Sequence, residues 1–197
     1  MAISTNNEIT VRATCTYEEL DKQLKDKGFE AINQYRTTDI FMIPKDIDIY
    51  KEKTREILSK AILLRDANGI TTNRNSKKIT YKIKNIDEEG NIISQSSIKC
   101  KIENIEDAKE IFLAIGYKEL MKISELHTTY QKNKLNFIVK EIESNNILIE
   151  IETNEIYKDI EELKNIVISL KLPLDLSNFF VKKAEEELDK IKNNVGS

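Results

Sequence analysis

Two glutamates on one predicted strand could together hold a cation. In the segment 146–152 (NILIEIE), Glu150 and Glu152 share one face of an alternating pattern, and isoleucines fill the other. This alternation predicts a β-strand, because successive side chains of a strand point to opposite faces. The segment 8–13 (EITVRA) repeats the pattern and puts Glu8 and Arg12 on one face. A sheet with one face in water gives the same pattern, so a solvated face remains the alternative to a cation site.

Basic residues occupy the polar faces of other segments. Arg65 follows a short apolar run, Lys82 lies in the alternating segment 78–84, and Lys99 lies in the segment after it. If the apolar faces pack outward against helices, these charged faces line a curved sheet whose interior holds water and charge. Lysine and arginine bind phosphate oxygens, and carboxylates bind Mg²⁺. The mixture favours a site for a metal-bound polyphosphate, although many of these lysines fit an ordinary solvated surface equally well.

The same periodicities predict an α+β fold in a single domain that covers all 197 residues. Helices are predicted at Tyr17–Lys27 and Ile105–Ile115, each ended by a glycine, whereas residues 46–59 fit no clear pattern. A helical C-terminal region spans about 155–193 with a break at Pro173. Strands are predicted at 5–15, 30–43, 62–65, 78–84, 91–103, 119–131, 134–142 and 146–153, with a turn at 87–90.

The bulk composition excludes several classes of protein. With 31 basic and 34 acidic residues, a net charge of −3 gives no general positive field for nucleic acid. No apolar run approaches the roughly 20 residues that cross a bilayer, and the first residues do not form a signal peptide. Two cysteines and one histidine rule out a disulfide framework and a multi-histidine zinc site. We therefore expect a cytoplasmic protein without a nucleic-acid or membrane partner. Separately, Cys15, Cys100, Tyr81 and Tyr130 lie on the apolar faces of predicted strands and are expected in the core.

Five short motifs follow one another in a fixed order along most of the chain. They are EITVR at 8–12, similar to ExExK; QYRTTDIF at 34–41, similar to Q-x-D-x-Y-F; LLRD at 63–66, similar to LRxR; ITYK at 79–82, similar to L-T-x-K; and IEIE at 149–152, similar to a late E-x-E. In this order they resemble the CYTH superfamily, the triphosphate tunnel metalloenzymes. That superfamily includes class IV adenylate cyclases, thiamine triphosphatases and inorganic tripolyphosphatases. The segment 170–188 is similar to its C-terminal helix.

The resemblance implies a fold, a cofactor and a ligand. The fold is an antiparallel eight-stranded β-tunnel, a barrel flanked by helices. The cofactor is Mg²⁺ or Mn²⁺, and the ligand is a small triphosphate or polyphosphate compound that the protein hydrolyses. A homodimer is left open. The implied metal ligands are Glu8, Glu150 and Glu152, and the implied phosphate-binding residues are Arg12, Arg65, Lys82 and Lys99.

Several positions depart from the superfamily's pattern, so a second hypothesis is a non-catalytic protein that keeps the fold and binds a phosphorylated ligand or serves as a structural partner. Low or missing turnover is expected, and rates typical of a competent enzyme would favour the first hypothesis. Lys101 and Glu125 reverse the expected charges and would compensate each other if they met across the tunnel. His127 is either a general base near neutral pH or a weakened phosphate contact. The departures are Thr10 for a glutamate, Leu63 for an arginine, Lys101 for an acid, Glu125 for a base, His127 for an arginine and Val139 for an aspartate.

Overall fold

Nine strands form one antiparallel sheet in the part of the chain that the structure describes. The structure is a computed structural model, and it describes residues 8–86 and 92–194. The strands are β1 (Glu8–Ala13), β2 (Glu30–Pro44), β3 (Ile62–Gly69), β4 (Asn75–Ile86), β5 (Ile92–Lys101), β6 (Tyr117–Lys132), β7 (Leu135–Ile142), β8 (Ile147–Glu152) and β9 (Leu174–Asp175). Their order in the sheet is β5-β4-β3-β2-β6-β7-β8-β1-β9.

In the described part of the chain, four helices lie in connections between these strands, and a fifth follows β9. The first begins at a capping box, in which Thr16 and Glu19 satisfy each other's backbone N–H groups, and it ends just before Gly28 at a φ of 81°. No helix among the described residues is long and apolar enough to span a bilayer. The helices are α1 (Tyr17–Asp26), α2 (Thr54–Ser59), α3 (Ile105–Ala114), α4 (Ile160–Ser169) and α5 (Lys183–Asn193).

The prediction of an antiparallel α+β tunnel fold is confirmed, with two differences. A ninth strand, β9, pairs with β1, and the sheet ends at β5 and β9 instead of closing into a barrel. The sheet still curls strongly, since Glu8 on β1 and Lys82 on β4 line the same cavity. The result is a cup-shaped tunnel with an open seam.

The C-terminal region contains less helix than predicted. The segment 170–188 is not one helix, because Pro173 leads into β9, which pairs with β1 before α5 begins at Lys183. Residues 46–59, which fitted no pattern, contain α2. The predicted turn at 87–90 lies outside the described residues.

The convex face of the sheet carries the main core. Ile149 and Ile151 on β8 pack with Ile9 on β1 beneath α1 and α4, as the alternation predicts. A second apolar cluster lies on the concave side, where Leu148 on β8 meets Leu188 of α5 and Ile57 of α2. The helices α2 and α5 therefore close one end of the tunnel.

The outer face of the β4–β5 hairpin is only partly covered. Helix α3 packs against β3 and β6, so it leaves the hairpin partly uncovered. Tyr81 is 37% exposed and Cys100 is exposed, which corrects their predicted place in the core. Tyr130 is fully buried as predicted, and Cys15 is partly buried against the main core.

Candidate functional site

The concave face of the sheet encloses a cavity of about 290 Å³. Apolar side chains from α2 and α5 form one end, and charged side chains from the strands form the walls. Acidic and basic groups are present in equal number, so the cavity is close to electrically neutral. The acidic lining residues are Glu8, Asp39, Glu150, Glu152 and Glu185, and the basic ones are Arg65, Lys82, Lys140, Lys182 and Lys183.

Three glutamates from two neighbouring strands meet at one wall of the cavity. Glu8 pairs with Glu152 in the register between β1 and β8, and Thr10 pairs with Glu150, so all of these side chains share the concave face. One carboxylate oxygen from each of Glu8, Glu150 and Glu152 lies within 4.8 Å of the others. Oxygens bound to one octahedral Mg²⁺ at about 2.1 Å lie roughly 3–4 Å apart. Small side-chain rotations would therefore let the three carboxylates share one hard divalent cation.

Arg65 and Asp39 form the central ion pair of the cavity. The Arg65 Nε–Asp39 Oδ1 distance is 2.7 Å and the Nη2–Oδ2 distance is 2.6 Å. Burial alone would raise the pKa of Asp39, but the hydrogen bonds from Arg65 and the nearby Lys183 ammonium lower it to about 2. Asp39 is therefore a charged, fully buried carboxylate. Asp39 orients the Arg65 guanidinium and accepts hydrogen bonds from two of its five N–H groups.

Lys82 and Lys140 complete the cationic wall. Lys82 on β4 is exposed and lines the cavity. Lys140 on β7 forms an ion pair with Oε2 of Glu150, and both side chains are largely buried. This pair ties the cationic wall directly to the carboxylate cluster.

Known proteins resemble this chain in sequence and in fold. No family model matches it. It is 29% identical over 122 residues to the "putative adenylate cyclase MJ0240" of Methanocaldococcus jannaschii, and the match spans 62% of each chain. Among solved structures, the PH1819 protein of Pyrococcus horikoshii OT3 covers 93% of this chain and 99% of its own, with a TM-score of 0.65 and 22% identity. HpAC1 from Hippeastrum, a protein with a dominant triphosphatase activity, covers 95% of both chains, with a TM-score of 0.56 and 13% identity.

The chain has a CYTH-type fold. The resemblance drawn from the five sequence motifs is thus confirmed at the level of the fold. Because the chain spans about three fifths of the curated relative that it matches, that relative's activity is not transferred with the fold.

On β7, the residue that faces the cavity is Lys140, one position after the expected Val139. Ile138 lies opposite Glu150, and Lys140 lies opposite Leu148, so these two β7 residues face the cavity. Val139 points the other way and is fully buried in the main core. Val139 is therefore not a lost cavity residue, and the cavity-facing Lys140 was missed. The alternation of side chains along β7 was the signal that could have found it.

Lys101 and Glu125 have different partners, so their reversed charges do not compensate each other across the tunnel. Lys101 is exposed on β5 and lies opposite Lys78. Glu125 instead forms an ion pair with Lys183, the first residue of α5. The sequence pattern did not identify Lys183, because its partners are far away in the chain.

Two predicted phosphate-binding residues lie outside the cavity lining. Arg12 forms an ion pair with Glu186 of α5 and donates a second hydrogen bond to Asn146. Lys99 lies opposite Thr80 of the cavity wall, but it is exposed on β5, the edge strand of the sheet. Of the four predicted cations, the structure brings only Arg65 and Lys82 into the cavity.

His127 lies opposite Lys140 and so shares its concave face, but it is buried and does not line the cavity. Its Nδ1 is 3.0 Å from the Tyr35 hydroxyl, and its Nε2 is 3.2 Å from the Thr37 hydroxyl. Burial and the positive charges of Lys140 and Arg65 lower the pKa of His127 to about 3. The ring is therefore neutral near pH 7, and its contacts are those of a structural residue.

Proposed function

We propose that the cavity binds a triphosphate or polyphosphate compound together with one divalent cation, Mg²⁺ or Mn²⁺, and hydrolyses it slowly. The observation that carries this proposal is the meeting of Glu8, Glu150 and Glu152 within 4.8 Å at one wall. The cations Arg65 and Lys82 line the same cavity. Carboxylates suit a hard cation, and guanidinium and ammonium groups suit phosphate oxygens.

The charge balance of the cavity supports a role for the cation. Because acidic and basic lining residues are equal in number, the protein alone offers little net attraction to a polyanion. A divalent cation at the glutamates adds the missing positive charge. It would also polarise a phosphoryl oxygen and generate a nucleophilic water.

The residues of the chain would position the phosphates. Arg65 is oriented by Asp39 and presents its remaining N–H groups to the ligand. Lys82 supplies a point charge from the next strand. Binding through cations on separate strands favours an extended, compact polyanion over a single phosphate.

Slow turnover follows from the state of these cations. Arg65 is bound to Asp39 and Lys140 to Glu150, so part of their charge is already neutralised. Phosphoryl transfer depends on positioning and on electrostatic stabilisation of the developing charge. This observation also favours the second candidate, a protein that binds the polyanion without hydrolysing it.

The dominant triphosphatase activity of HpAC1 is a reason to test hydrolysis before cyclisation. Phosphate release would be measured from tripolyphosphate, thiamine triphosphate and ATP with Mg²⁺ or Mn²⁺. We expect slow, metal-dependent release that Glu150→Gln and Glu152→Gln abolish. The exposed Glu143→Gln is the matched control and should leave the rate unchanged. Equal rates in all three variants would assign the activity to a contaminant or to another surface.

A further inference from the structure

Two of the basic residues that line the cavity, Lys182 and Lys183, come from outside the sheet. Lys183 is the first residue of α5, and its ammonium lies 3.2 Å from Oδ2 of Asp39 and in an ion pair with Oε1 of Glu125. Its side chain is 17% exposed, and it lines the cavity. Both carboxylate partners are fully buried, so bulk water does not screen their charges.

Glu125 depends on Lys183 for its charge compensation. Among the described residues, Oε2 of Glu125 makes no hydrogen bond. The nearest ring nitrogen, Nε2 of His127, is 3.3 Å away, and the ring is neutral near pH 7. A buried carboxylate needs a compensating positive charge. Glu125 therefore holds the Lys183 ammonium on the cavity side of β6.

The approach of Lys183 is fixed by contacts on either side of it. The Val181 N–H donates to the Thr10 carbonyl at 3.0 Å, which anchors the chain to β1 beside the glutamate cluster. Two residues after Lys183, Glu185 pairs with Arg55 of α2 at 3.0 Å. These contacts hold the start of α5 beside the sheet, where the Lys183 side chain lines the cavity.

We propose that Lys183 is a phosphate-binding residue of the cavity and that Glu125 is the positioning residue that holds its ammonium there. An ammonium carries three N–H groups. Asp39 and Glu125 accept from two, and the third can donate to a phosphate oxygen in the cavity. This inference rests on the proposed polyphosphate function and assigns one of its ligand contacts to α5.

The test is calorimetric titration of Mg²⁺–tripolyphosphate into the full chain and its variants. Lys183→Ala should weaken binding roughly 10- to 100-fold, the factor for one charge-assisted hydrogen bond. Lys183→Arg should keep the affinity within a few-fold. Lys190→Ala, an exposed lysine on the same helix, is the matched control and should bind like the wild type.

A double variant separates binding from folding. Lys183→Ala leaves Glu125 buried and unpaired, which destabilises the fold. Lys183→Ala with Glu125→Gln removes that charge, so the protein should regain its thermal stability but not its affinity. If this folded double variant binds tripolyphosphate as tightly as the wild type, the inference is overturned and the proposed function stands. If the wild type binds no tripolyphosphate, both are overturned.

The pH dependence of binding gives a readout that a structural role would not move. Burial and the positive charges of Arg65 and Lys82 lower the pKa of Lys183, Asp39 opposes them, and the resulting pKa is about 8. With Glu125, these are the charged groups that face it from β2, β3, β4 and β6. The affinity of the wild type should fall above pH 8 more steeply than that of Lys183→Arg, because arginine stays charged. Identical pH profiles would contradict the assignment.

Discussion

Arg65 and Asp39 lie directly opposite each other on β3 and β2 and are joined by two hydrogen bonds of 2.7 and 2.6 Å. The pair occupies the middle of the cavity, so its carboxylate is fully buried whereas its guanidinium still reaches the open space. It therefore serves two purposes. It stabilises the concave face, and it orients a cation toward the ligand.

Asp39→Asn should destabilise the protein by about 2–3 kcal/mol, because it weakens charge-assisted hydrogen bonds to a partly buried cation. The pKa of Asp39 is about 2 in the folded protein and ordinarily 3.8. Its contribution is therefore fully present above pH 4 and is lost as the pH falls toward 2. Urea unfolding at pH 7 and pH 3 measures both effects, and the difference between variant and wild type should shrink at the lower pH.

The same substitution at an exposed ion pair is the control for that measurement. Asp26 pairs with Lys22 on the solvent side of α1. Asp26→Asn should change the free energy of unfolding little, since exposed pairs are screened by water and salt. Equal losses for the two variants would contradict a special role for the buried pair.

Acidification should destabilise the protein through its single histidine. His127 has a pKa of about 3 in the folded protein and ordinarily 6.5. Between these two pH values the unfolded chain binds a proton at this ring and the folded protein does not. The free energy of unfolding is therefore unaffected by this ring above pH 6.5. It falls as the pH drops below 6.5, by at most about 1.4 kcal/mol per pH unit. Urea unfolding between pH 7 and pH 5 should show this slope in the wild type. The same slope in His127→Gln would assign it to other groups.

Two lysines on neighbouring strands should differ in their effect on ligand binding. Both lysines are exposed, but Lys82 lines the cavity, whereas Lys99, on the same face one strand further out, does not. Lys82→Ala should weaken tripolyphosphate binding roughly tenfold or more, and Lys99→Ala should change it less than twofold. Titration calorimetry of the two variants checks this, and a larger loss for Lys99→Ala would place the ligand nearer the open seam.

The strand alternation was sufficient to place the glutamates on one face. Because β1 and β8 are neighbours with Glu8 opposite Glu152, their alternating faces coincide and the three carboxylates meet. Their role as metal ligands stays a prediction. The alternation of β7 also puts Lys140 on the cavity face. The family motif instead indicated Val139, which is one residue away and on the opposite face.

Other parts of the site depend on long-range packing that local patterns do not encode. Lys183 lies 144 residues from Asp39 and 58 from Glu125 in the chain, and it enters the cavity because β9 and the Val181–Thr10 hydrogen bond direct α5 there. Lys99 was predicted to bind phosphate, and it does lie on the concave face of the sheet, opposite Thr80. Where the curved sheet stops enclosing the cavity depends on its global curl, which the period of a single strand does not report.

The most direct test of the metal-assisted polyphosphate site is calorimetric titration of tripolyphosphate and orthophosphate, each with and without Mg²⁺. We predict that tripolyphosphate binds far more tightly than orthophosphate and that its affinity increases strongly when Mg²⁺ is present. Glu152→Gln should remove this Mg²⁺ dependence, and Glu143→Gln should retain it. Tripolyphosphate binding that is equally tight with and without Mg²⁺, or unchanged in Glu152→Gln, would contradict a cation held by Glu8, Glu150 and Glu152.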